Sequence, residues 1–293
     1  MLTEDVTVSV LTAIFQALFQ AICRILPISE NFHSALFHDF SLRFNPNCSA
    51  LTGVVHIGIA LGIIVAMYKV FLRMFNEFVF TFKDFFTKNI RGTSKKGARN
   101  FMYMSLLALL LLLFWLIPCG SKGVLYTFLR STQYNQTLLD EGIFMLVNAT
   151  LILLSARALK LENNTKRITP LCAVIVGVCS VFAIPLSGFS YVGVVLSVLL
   201  IMGISVNQSF NFTYFLLSLI LLVTGIVEIC VSVTKAGVVT VILGLVISGA
   251  LSFFLVKLMK YIIKNNYLKY FVLYDCSIGV IATIIGIFEL IFR

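Results

Sequence analysis

The sequence predicts an all-α polytopic membrane protein made of two inverted-topology repeats, each one re-entrant helical hairpin plus three transmembrane helices. Three observations carry this. Sixty per cent of the 293 residues are apolar and only 12% are charged, where soluble domains sit nearer half and a quarter. Two long apolar stretches are broken in their middles by similar tetrapeptides, Leu26-Pro27-Ile28-Ser29 and Ile184-Pro185-Leu186-Ser187. The net charge of +10 is gathered between apolar runs rather than spread along the chain.

Proline removes a backbone donor and clashes with the preceding turn, so Val6 to Phe40 reads as a hairpin interrupted at Pro27. The N-terminus holds Glu4 and Asp5 and no Lys or Arg before the first apolar run. It therefore lacks the basic start of a cleaved signal peptide, and the first apolar segment is expected to remain. Leu51 to Leu72, Phe101 to Pro118 and Glu141 to Leu159 are the next spans, each near the roughly 20 residues that cross a hydrocarbon core. The Phe-rich stretch Phe75 to Phe86 either lies on the membrane surface or extends the preceding span.

Arg73 to Arg99 carries seven basic residues against Glu77 and Asp84, Lys160 to Arg167 carries three, and Lys257 to Lys269 carries four with no acid. The positive-inside rule assigns all three loops to the cytoplasm. Pro170 to Ile201, Phe212 to Ser232 and Gly237 to Val256 lie between the last two loops, and three full crossings would put them on opposite sides. The conflict disappears if the first stretch, broken at Pro185, enters and leaves by one face. Its arms of 15 residues are about 22 Å long as helix, short of a hydrocarbon core. The halves, 1–159 and 160–293, then have opposite orientation within a single membrane domain, and both termini are predicted outside. Interrupted segments at corresponding places in two halves point to a binding site near the bilayer midplane.

Basic residues flanking spans, rather than clustered in a compact domain, also argue against nucleic acid as a partner. Seven cysteines, an odd number with no C-x-x-C spacing, read as buried free thiols. Triplets such as Asn148-Ala149-Thr150 fall inside apolar runs and read as compositional rather than as glycan sites.

Helix starts after each proline present unpaired N–H groups and the positive end of the dipole, which suits an anion such as phosphate. Ser29, Ser187, Gly188 and Ser190 are the candidates there; the serines either hold the anion or simply cap the helices. Arg24 either grips phosphate bidentately or forms a buried pair with Glu30 or Asp39. His33, four residues after Ser29, either moves a proton or binds phosphate, or is a satisfied structural histidine. His56, Arg157 and Glu228 read as snorkelling near span ends.

At these residues the chain resembles the undecaprenyl-pyrophosphate phosphatases, bacterial membrane enzymes that recycle the lipid carrier of cell-wall precursors. Ile25 to His33 looks like the family's first motif, Val55-His56-Ile57-Gly58 like its next span, and Ile184 to Gly193 falls at the second phosphate-binding motif. Leu243-Gly244-Leu245-Val246 and Phe271-Val272-Leu273-Tyr274 through Gly279 are similar to its C-terminal pattern. The resemblance implies interlocking inverted repeats, a location in the bacterial plasma membrane, a polyprenyl phosphate or diphosphate lipid as partner, a homodimer, and Ser29 and His33 as catalytic residues. Phosphate binding would fall to Arg24, Ser187, Gly188, Ser190 and Tyr191. It also implies a divalent cation, yet Gln20 and Arg24 stand at the family's paired acidic positions, so its ligands are not retained. Glu30, Asn31 and Phe32 replace small residues, Tyr191 stands in place of an arginine, and Asp275 occupies a basic position. The expected activity is dephosphorylation of a polyprenyl diphosphate. The alternatives are an inactive lipid-phosphate binder or flippase on the same scaffold, and an unrelated small-solute transporter.

Overall fold

Both proline breaks end a helix two residues early and restart it behind a serine cap. In the computed structural model, which describes residues 10–34, 50–87, 96–119, 124–125, 138–161, 164–232 and 236–292, α1 (Val10–Ile25) stops before Pro27 and α2 (residues 30–34) follows. The Ser29 hydroxyl accepts the Phe32 amide at 3.3 Å. In the second hairpin α7 (Pro170–Ala183) stops before Pro185, and α8 (Tyr191–Ile201) starts after Ser190, whose hydroxyl accepts the Gly193 amide at 3.1 Å. The cap thus lies two residues after the first proline and five after the second. The longer link turns at Gly188, whose φ of +97° is open to glycine at little cost.

The remaining helices are α3 (Ala50–Ala66), α4 (Tyr68–Thr87), α5 (Lys96–Leu112), α6 (Leu138–Lys160), α9 (Val206–Val231), α10 (Val238–Lys264) and α11 (Lys269–Phe292). Five helical segments, those of α5, α6, α9, α10 and α11, are long and apolar enough to cross a membrane, and α3 with α4 passes the same test as a bent pair. With three shorter apolar helices, α1, α7 and α8, and large hydrophobic side chains exposed over the flanks, such as Leu106, Leu110, Ile226, Phe254 and Ile284, this is a multi-pass membrane protein. A surface of that kind is stable only against lipid.

The span expected over Leu51 to Leu72 is shorter in the structure. Helix α3 ends at Ala66 and the chain turns by 90° into α4. The corner residue, Met67, is 7% exposed and anchors the bend in the core. Beyond it polar residues enter the pattern, and Phe75, Phe78, Phe82 and Phe86 are exposed along α4. That direction fits the surface-lying alternative. At the far end of α5 a 3₁₀ turn (Leu113–Leu116) leads to Ile117, held at ψ 125°, the extended conformation that a following proline demands.

Small residues let the spans approach closely, as is usual where lipid removes a hydrophobic drive between helices. A Cβ on Gly53 of α3 would lie 2.5 Å from the Gly225 carbonyl of α9, and one on Gly142 of α6 would lie 2.5 Å from the Thr283 amide of α11. The packing also crosses between halves. Hairpin arm α1 rests on α10, while α7 rests on α5; α8 lies on α6, and Phe32 of α2 clusters with Met145 of α6 and Ala282 of α11.

Of the six cysteines among the described residues all are free, but only Cys23 and Cys172 are buried, and Cys230 is exposed. Cys48 lies outside the described residues, as does Asp39. The burial expected for the thiols is therefore incomplete, because an apolar span has a face toward lipid as well as one toward protein.

Candidate functional site

The hairpin tips touch. The Gly188 amide donates to the Ser29 hydroxyl at 3.0 Å, the Ser190 hydroxyl donates to the Leu26 carbonyl at 3.5 Å, and the Asn31 side-chain amide donates to the Ile184 carbonyl at 3.0 Å. Tyr214 of α9 reaches in to give its hydroxyl proton to the Ile25 carbonyl at 2.6 Å. These bonds answer a physical need, since carbonyls freed by a helix break inside a membrane have no water to turn to. Gly188 sits against α6, where a Cβ would lie 2.4 Å from the Glu141 carbonyl.

Ser29 is fully buried and accepts two amides, Phe32 and Gly188. Both lone pairs are thereby engaged, and the hydroxyl keeps its proton as its remaining hydrogen-bonding function. His33, 8% exposed, has Nδ1 2.5 Å from the Ser29 carbonyl and Nε2 2.6 Å from the Tyr274 hydroxyl of α11. A carbonyl only accepts, so Nδ1 carries the proton. In the neutral ring Nε2 then accepts from Tyr274. The two rings lie nearly parallel, with centroids 5.9 Å apart.

Ser190 is tied on its backbone side to Asn148, whose Oδ1 accepts the Ser190 amide at 3.4 Å and whose Nδ2 donates to Asp275 at 2.6 Å. Asn148 is fully buried, which places its triplet out of reach of any glycan. Ser187 is 5% exposed, and its hydroxyl has no partner among the described residues. Tyr191 opens α8 and is 5% exposed. Of the residues singled out in the sequence, Ser29 therefore meets both His33 and Gly188 at the tips, and Ser190 meets Leu26 beside them, with Ser187 and Tyr191 on the same loop and helix start.

Arg24 belongs to a second polar cluster beside this one. Its guanidinium forms an ion pair with Glu30, and Nη2 lies 3.4 Å from His56 Nε2. His56 Nδ1 in turn lies 2.7 Å from Glu228, and Nε2 3.8 Å from Glu30. His56 and Glu228 are wholly buried, so they do not snorkel as their positions near span ends suggested. Arg157 is exposed, in line with that reading. Gln16 donates to Thr52 at 2.8 Å on the neighbouring turn.

A hard divalent cation needs carboxylate oxygens grouped around it. The donor set here does not fit one. Gln20 has both amide atoms unpartnered, Glu30 is turned to a guanidinium and a histidine, and no group of three metal-ligating side chains occurs among the described residues.

Sequence reasoning missed Tyr274, Asn148, Asn31 and Tyr214 as parts of this arrangement. The available signal was a polar side chain in the middle of an apolar span, which is costly unless it has a partner. Asn148, midway along Leu138–Lys160, carries that signal.

The comparisons with known proteins agree with one another. The chain is 24% identical over 283 residues to an undecaprenyl-diphosphatase of Methanosphaera stadtmanae, covering 95% of this chain and 98% of the relative. It is 23% identical over 280 residues to one of Halothermothrix orenii (94% and 98% covered) and 26% identical over 281 residues to one of Alkaliphilus metalliredigens (94% and 98% covered). Residues 13–281 match the family described as bacitracin resistance protein BacA, so the match takes in both hairpins and most of α11. With both prolines, both serine caps and the tip histidine inside that match, the chain belongs to the bacitracin resistance protein BacA family.

Proposed function

We propose that the chain holds the phosphorylated head group of a polyprenyl diphosphate lipid where the hairpin tips meet, and releases phosphate from it. The observation that carries this reading is His33, fixed between the Ser29 carbonyl and the Tyr274 hydroxyl beside the Ser29–Gly188 contact. A histidine whose Nδ1–H is fixed by a carbonyl and whose unprotonated Nε2 faces a hydroxyl is suited to proton transfer. Water attacks the terminal phosphorus, its proton passes to Nε2 as the Tyr274 hydroxyl turns away from that nitrogen toward the head group, and the bond from phosphorus to the bridging oxygen breaks. The products are inorganic phosphate and the lipid monophosphate. Ser29, with its lone pairs occupied, serves as a hydrogen-bond donor to the head group rather than as the nucleophile. Ser187 offers a second hydroxyl.

The apolar cavity of about 180 Å³ between α5 and α9, lined by Trp115, Ile184 and Leu219 among others, gives the first isoprene units a path from the tips to lipid. The exchanged packing of α1 and α7 on opposite halves supports the reading of 1–159 and 160–293 as inverted repeats. The basic loops then face the cytoplasm and both termini lie outside.

A second reading, an inactive binder or flippase, is favoured by the Arg24–Glu30 pair, which occupies the guanidinium, and by the missing carboxylate donors. Purified protein given a polyprenyl diphosphate, with Mg²⁺ or Ca²⁺ and separately with chelator, decides between the two. Phosphate release lost in His33→Ala supports the enzyme. Head-group binding without release by the unaltered protein rejects it, and a vesicle assay with labelled lipid on one face then tests flipping.

A further inference from the structure

At the end of the bundle that carries the basic loops, the bend at Met67 swings α4 across the starts of α5 and α9 and leaves a cavity of about 710 Å³. Its floor is apolar, formed by buried Met74, Ala98 and Ile168 with Phe101. Its rim carries two arginines from different elements, Arg73 of α4 and Arg167 of the segment before α7. Among the described residues no carboxylate lies within ion-pair distance of either; Asp84 is taken by Arg99 at 2.7 Å. Glu77, one turn beyond Arg73, is buried and does not line the cavity.

The Arg167 segment is held in place rather than loosely appended. Lys166 pairs with the turn before α9 through its own amide to the Gly203 carbonyl and the Ser205 amide to its carbonyl, both at 3.0 Å. The Ile168 amide donates to Gln208 at 3.2 Å, and Asn100 donates to the Ile168 carbonyl at 3.3 Å. The first turns of α9, which has no side-chain cap, supply Gln208 and Asn211 to the lining, and this end of the helix carries the positive end of its dipole.

We propose that this cavity is a binding site for the head group of an anionic phospholipid of the adjoining leaflet, separate from the hairpin tips. Two guanidinium groups from different elements, with no carboxylate partner among the described residues, suit phosphate oxygens, each able to bind two at once. An apolar floor beneath a cationic rim suits an amphiphile, whose glycerol and upper chains rest on Met74 and Phe101 while the phosphate meets the arginines. The exposed phenylalanines of α4 put the mouth at the depth where head groups lie, since an amphipathic helix of this kind rests in the interface. Anionic lipid is also what a juxtamembrane basic patch recruits.

The test uses the full chain purified into nanodiscs of phosphatidylcholine containing phosphatidylglycerol, with retained lipid counted by native mass spectrometry after release into detergent. The unaltered protein is expected to keep phosphatidylglycerol over phosphatidylcholine, and Arg73→Gln/Arg167→Gln to lose at least tenfold of that preference. Arg99→Gln, which removes a charge already paired at the same end, is expected to leave it unchanged. Competition separates the sources of phosphate: inorganic phosphate at millimolar concentration should not displace the lipid, and displacement would assign the site to a free anion and overturn the proposal. Equal retention of the two lipids by the unaltered protein, or an equal loss in Arg99→Gln, would overturn it as well. Thermal unfolding of each variant, read alongside, shows that any loss belongs to a folded protein.

Discussion

The Gly188 amide and the Ser29 hydroxyl meet at 3.0 Å across 159 residues of sequence, joining the two interrupted hairpins at their tips. Each partner is specialised for the contact. Ser29 caps its own helix with the same oxygen, and Gly188 adopts a backbone angle closed to most side chains.

Gly188→Ala is therefore expected to unfasten the second tip. The left-handed backbone alone costs about 1–2 kcal/mol for a residue with a Cβ, and that carbon would meet the Glu141 carbonyl at 2.4 Å. A lower melting temperature in detergent, together with weakened head-group binding, is the expected outcome; an unchanged melting curve would contradict this account of the turn.

His33→Ala is expected to lower phosphate release by about 10²- to 10⁴-fold, the range in which a positioned proton carrier contributes. Tyr274→Phe removes only the hydrogen bond to Nε2, worth about 0.5–1.5 kcal/mol, and should lower the rate by roughly tenfold or less. Steady-state rates with a polyprenyl diphosphate check both. Equal effects of the two substitutions would argue against the assigned order of roles.

Arg24 is expected to act on phosphate only when released from Glu30. Glu30→Gln should raise head-group affinity by roughly tenfold, the value of one further charge-assisted hydrogen bond of about 1.5 kcal/mol. Arg24→Gln should instead destabilise the protein by about 3–5 kcal/mol, because it leaves a buried carboxylate without its cation. The double variant should recover most of that loss, as measured by unfolding in detergent.

Asn148→Leu is expected to loosen α6 from α11 and from the second tip together. Asn148 bridges the Ser190 amide and the Asp275 carboxylate, and leaving that carboxylate without its donor costs about 1–3 kcal/mol. Asp275→Asn in the same background should restore part of the stability.

Sidedness follows from the same proposal. Single cysteines introduced at Ser94 and Asn265 should react only with reagents that reach the cytoplasm, and labelling of either from outside would reverse the orientation.

Much of this architecture is legible in the chain because its causes are local. Pro27 and Pro185 break helices wherever they stand, and spans such as Val206–Val231 and Val238–Lys264 declare themselves by apolar length. The 90° turn at Met67 is not legible, since no proline or glycine marks it and the turn depends on packing. Single-sequence reading placed His56 and Glu228 near span ends but gave no view of the face on which each lies; both point into protein. The His33–Tyr274 pair spans 241 residues, and nothing in either neighbourhood names the other.

The crossing of hairpin arms between halves also bears on how the chain is made. Helix α1 leaves the ribosome first, yet α10, against which it rests, is synthesised more than 200 residues later. Its polar residues meet partners early, Gln16 at Thr52 and Arg24 at Glu30 and His56, but the face that α10 covers must wait within the insertion machinery or at the lipid edge until translation is almost complete. Final assembly is consequently a late event, and a product truncated before Val238 would leave α1 without the helix it rests on, open to the cell's quality-control proteases.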